Sequence, residues 1–149
     1  MRLFKNQDEA YNWCTAEGNY VPVLEVEENR IKANLTIAKE DLASAKDAIT
    51  KKRFNSAYKI HYDVLHVLVE AYLLFDNIKS KNHLCLFTYI CVKHPDLELH
   101  WNFFEKVRTK RNGIHYYGTL VTEQDWKEVA LEFQLNINLL MKKIEGKLE

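Results

Sequence analysis

At 149 residues the chain has room for one domain, which would bury about 68–70% of its unfolded surface. A hydrophobic share of 47% with 12% aromatic residues excludes a disordered or collagen-like chain, and 4 glycines with 2 prolines are too few for the turns of an all-β domain. Lys+Arg 21 balance Asp+Glu 21 for a formal net charge of +0, so any nucleic-acid contact must be a local site rather than a global cationic field.

In chain order, Asn6 reads as a cap for a first helix that carries Ala10, Trp13 and Cys14 inward and stops at Gly18. The following stretch NYVPVLEV, Asn19 to Val26, is aromatic, β-branched and broken by Pro22. It reads either as an ordered arm over apolar surface or as a lone strand with no visible partner. Residues 1–26 are thus an N-terminal helix and covering arm, and residues 27–149 a helical bundle.

Glu27 to Lys52 holds no Gly or Pro, and Ile31, Leu35, Ala38, Leu42, Ala45 and Ile49 recur at helical steps. Lys51-Lys52-Arg53 marks a joint. The most apolar helix, Phe54 to Ile78, carries more than one stripe and should sit centrally; His83 to Val92 is a shorter helix, apolar nearly all round. A further helix from near Asp96 turns Leu97, Trp101, Phe104 and Val107 inward and ends at Gly118. Thr122 with Asp125 forms a capping box for the last helix, whose apolar positions are Trp126, Val129, Phe133, Leu135, Ile137 and Leu140. The fold class is therefore all-α, an antiparallel up-and-down bundle of four to five long helices plus the N-terminal helix and arm.

Cys14, Cys85 and Cys91 form no CxxC and are odd in number, which reads as reduced buried thiols of a cytoplasmic protein. No basic-then-apolar leader and no run of 18 apolar residues appears, so no membrane partner is expected.

One stretch breaks the apolar pattern: VRTKRNGIHYYG, from Val107 to Gly118. A helix advances about 100° per residue, so Arg108, Arg111, Asn112 and His115 share a face that begins, a few turns earlier, with Trp101 and Phe104. Polar groups continuing a buried stripe need partners, which a cleft or a subunit boundary supplies. Tyr116 points away from Arg111 and reads as packing. His61 and His66 do not share a face and read as hydrogen-bonded core or cleft positions, not a metal pair; His83, His94 and His100 read as caps of helix ends.

The central helix KRFNSAYKIHYDVLHVLVEAYLLFDNIKSKNH together with FFEKVRTKRNGIHYYG resembles the HEPN superfamily of small helical proteins, from about Glu27 to the C-terminus. That resemblance implies a dimerising bundle in which an Arg, four to six residues and a His meet in a cleft and cleave RNA without a metal or other cofactor. It also implies a homodimer with an RNA substrate, a toxin or defence role, and a minimal nucleotidyltransferase antitoxin as partner; no DNA partner is implied. Three registers are open. Arg108 to His115 has six intervening residues, Arg111-Asn112 reproduces the Arg-polar pair but with Tyr116 at the His position, and Lys110 to His115 places Tyr117 where related toxins are adenylylated.

The residue types fit that chemistry. An imidazole can exchange protons with a ribose 2′-OH or a leaving 5′-oxygen, and a guanidinium can hold the scissile phosphate. Arg108, Arg111, Asn112 and His115 are the candidate set, with Lys110, Tyr116 and Tyr117 in support and Asp63 or Glu70 pairing with an arginine of the signature helix. The alternative is a catalytically inactive dimeric subunit that binds a nucleotide or scaffolds a nucleotidyltransferase.

Overall fold

The computed structural model describes residues 3–149, and among these lie six α-helices: α1 (Gln7–Ala16), α2 (Glu28–Thr50), α3 (Phe54–Leu74), α4 (His83–Lys93), α5 (Trp101–Tyr117) and α6 (Glu123–Leu148). The all-α antiparallel bundle read from the sequence is the observed fold.

Local chemistry sets the helix ends. The Asn6 side chain accepts the Glu9 backbone N–H at the start of α1, and Asn82 does the same for Cys85 at the start of α4. Thr122 and Asp125 exchange both bonds of a capping box at the start of α6. Between α2 and α3 only Lys51, Lys52 and Arg53 intervene, and Lys52 takes a left-handed backbone (φ 58°). The chain doubles back there, and α2 and α3 pack along their lengths. Gly118, at φ 63°, closes α5 by donating its N–H to the Gly113 carbonyl, a conformation that favours glycine.

The core forms around α3, which packs against α2, α4, α5 and α6. Tyr58, Tyr62, Leu65, Leu68 and Leu73 are fully buried on it. Every residue of α4 from Leu84 to Cys91 is buried, because the α1 segment covers the side of α4 that the bundle leaves open. Phe87 of α4 stacks on Phe104 of α5 at 4.8 Å, and Phe103 meets Phe133 of α6 edge-on at 5.2 Å. Each such ring contributes on the order of 1.5–3 kcal/mol through burial.

Five expectations change. Helix α3 stops at Leu74, not Ile78, because residues 75–77 turn and Asn77 goes left-handed (φ 60°). The arm has a strand partner after all: β1 (Val21–Pro22) pairs antiparallel with β2 (Ile78–Lys79), whose first residue is freed by that early stop. Helix α5 begins at Trp101, after a 3₁₀ turn at Pro95–Leu97 and a left-handed Glu98, and Leu135 of α6 is exposed. Finally, Cys14 and Cys85 form a disulfide, so the chain does not hold three reduced thiols; Cys91 alone is free, and buried. Packing of α1 on α4 brings the two Cα atoms to 5.6 Å across a separation of 71 residues, which spacing along the chain could not reveal. Among the described residues, no helix is long and apolar enough to cross a membrane.

Candidate functional site

Helix α5 changes character along its length. Trp101, Phe103, Phe104 and Val107 are buried, and the helix then runs unbroken through Gly113 to Tyr117 while its inward face becomes polar. Where that face meets the start of α4, a cleft of about 440 Å³ opens. Arg108, Arg111, Asn112, His115 and Tyr116 line it from α5, and Asn82, His83 and Leu84 from the other side. The four residues expected on one face are therefore brought together.

Their surroundings differ. Arg108 is buried, and its Nε and Nη2 donate to the two carboxylate oxygens of Glu105 at 3.1 and 2.9 Å. That fork orients the guanidinium and matches its charge, so burial costs less than it would for a lone cation. Arg111 has no acidic partner in hydrogen-bond range and lies over the Tyr62 ring at 5.4 Å, a cation–π contact that leaves its donors for the cleft. His115 is exposed, with Tyr116 edge-on at 4.8 Å; Tyr116 is itself exposed and packs on that imidazole rather than in the core.

The supporting residues separate. Lys110 faces α6 and pairs with Asp125 at 3.2 Å, outside the cleft. Glu70 pairs with Arg30 of α2 at 2.9 Å, not with an arginine of α5. Asp63 lies within the field of Arg111 but makes no ion pair with it, and Tyr117 is exposed beyond the cleft.

Beside the cleft, His66 is the core or cleft histidine read from the sequence, whereas His83 forms part of the wall itself. His83 Nδ1 and the Tyr62 hydroxyl share a hydrogen bond at 2.9 Å, and the His83 and His66 rings lie 4.0 Å apart. Burial, reinforced for His83 by His66 and for both by Arg111, pulls each imidazole down to about 4, so both are neutral at pH 7. His83 had read as a cap of a helix end, but it stands at an N-terminus, where no free carbonyls exist to be capped. The Asn82 cap directly before it was the available signal. His61 is the core histidine expected, bonded to the Ala57 carbonyl at 2.7 Å; His94 and His100 pair instead with Asp76 and Glu132. Among the described residues, no group of three or more His, Cys, Asp or Glu is placed to hold a metal ion.

The charge of the cleft comes from its arginines. Arg108, matched by Glu105, and Arg111, without an ion pair among the described residues, line it beside the first residues of α4, while His83 is neutral and adds no positive charge. Compared with family models, with curated proteins and with solved structures, the chain matches none.

Proposed function

We propose that the chain is a metal-independent endoribonuclease of HEPN type, acting as a homodimer and serving as the toxin or effector whose partner is a minimal nucleotidyltransferase antitoxin. The observation that carries this reading is the gathering of Arg108, Arg111, Asn112 and His115 around one cleft. Arg111 and the free donors of Arg108 hold the scissile phosphate of an RNA. The ribose 2′-oxygen attacks phosphorus and gives its proton to one His115 while the P–O5′ bond breaks. The leaving 5′-oxygen takes a proton from His115 of the partner subunit, giving a 2′,3′-cyclic phosphate and a 5′-hydroxyl. Tyr116, Tyr117 and Leu120 are exposed apolar groups at the end of α5 and favour a second copy there.

The test is cleavage of a labelled RNA in EDTA. Wild-type chain should release cyclic-phosphate ends, and His115→Ala should slow release by about 100-fold or more. Intact RNA with wild-type protein, or cleavage that EDTA abolishes, would overturn the reading. The Glu105 fork on Arg108 favours a second reading, a non-catalytic binding subunit, because it ties up donors that a catalytic arginine would spend on phosphate. Under that reading the wild-type chain binds RNA or a nucleotide and expresses without harm.

A further inference from the structure

The cleft does not end at His83. On the other side of that ring a second groove, of about 560 Å³, runs away between α3 and the segment before α4, and His83 lines both. Arg30, His66, Glu70, Lys79, Ser80 and Lys81 line the second groove, with the arm after α1 forming its outer edge.

The charges in this groove are unequal. Glu70 is matched by Arg30 at 2.9 Å, as Glu105 matches Arg108 in the first cleft. Among the described residues Lys79, Lys81 and Arg111 make no ion pair, so three unmatched cations lie along two openings that share one wall, in a chain whose formal net charge is +0. The two lysines are exposed but their backbone is fixed. Lys79 pairs with Val21 in the β1–β2 bridge, and the Ser80 hydroxyl bonds both the N–H and the carbonyl of Asn82, the cap of α4. His66 and His83 are neutral and add no charge of their own.

We infer that the two openings form one track for single-stranded RNA, in which Lys79 and Lys81 hold backbone phosphates flanking the phosphate bound at Arg111. The assignment rests on the RNA reading of the first cleft and names where the strand continues. A regular duplex is too stiff to turn past His83 into a second groove, whereas a single strand bends at each nucleotide.

The experiment measures binding of a short fluorescein-labelled oligouridylate by anisotropy, using the His115→Ala chain so that the probe stays intact. Each single-strand phosphate contact adds about 0.7 to the slope of log K against log salt, so K79A/K81A should lower the slope by about 1.4 and weaken binding about tenfold. K142A/K143A, on exposed lysines of α6 that line neither groove, should change affinity less than about twofold. Equal losses in the two double variants, an unchanged slope in K79A/K81A, or no binding by any form overturns the track. Lysine-dependent binding with no cleavage by the wild-type chain leaves the track standing and removes the nuclease; cleavage without lysine dependence does the reverse.

Discussion

The two halves of α5 make opposite uses of one helical face. From Trp101 to Val107 the face is apolar and sealed, Phe104 lying against Phe87 with no exposure at all. From Arg108 to Tyr117 the same face opens on a cleft, and its side chains become progressively exposed. Arg108 is the hinge between the two regimes, buried like the first half and polar like the second. Stability and chemistry thus occupy successive turns of one helix, and removing side chains from each should produce separable losses.

The largest effect is expected in the sealed half. Phe104→Ala should destabilise the fold by about 3–5 kcal/mol, read as a lower urea midpoint at unchanged slope, whereas His115→Ala should shift it by less than about 0.5 kcal/mol. Similar losses for both would erase the distinction. At the hinge, Glu105→Gln leaves the buried Arg108 guanidinium with a neutral partner and should cost about 1–3 kcal/mol. A change confined to RNA affinity would instead place Arg108 wholly in the open half.

Acid sharpens the comparison further. The unfolded chain protonates its histidines near 6.5, whereas the fold holds His66 and His83 neutral down to about 4. The unfolded state therefore binds more protons in that window. These two histidines should leave stability level between about pH 7 and pH 8 and make it fall progressively towards pH 4, as urea midpoints at successive pH values would show. His83→Asn should flatten part of the fall. A modest effect lies outside α5 altogether: Thr122→Ala removes one capping bond of α6, costs about 1 kcal/mol, and leaves RNA binding unchanged.

Periodicity made the bundle legible. The caps at Asn6 and Thr122, the joint at Lys51–Arg53 and the stop at Gly118 are local devices, so composition alone locates them. The α5 half of the cleft was legible for the same reason, since residues on one helix have calculable relative positions. What escaped was contributed by other elements. His83 and His66 meet Arg111 only because α3, α4 and α5 cross there, and the two-residue β1–β2 bridge is too short to leave an alternating pattern. The pairing assigned to Glu70 failed because α2, nearer than α5, supplies Arg30.

The bond between Cys14 and Cys85 makes the fold's endurance depend on the thiol chemistry of its surroundings. Closing a circuit of 71 residues removes enough freedom from the unfolded chain to be worth about 4 kcal/mol in the chain-entropy model. For a domain of this size that corresponds to about ten degrees in melting temperature. Preparations made with and without dithiothreitol should therefore melt as two different materials, and the same polypeptide would be robust in an oxidising niche and short-lived in a glutathione-rich one.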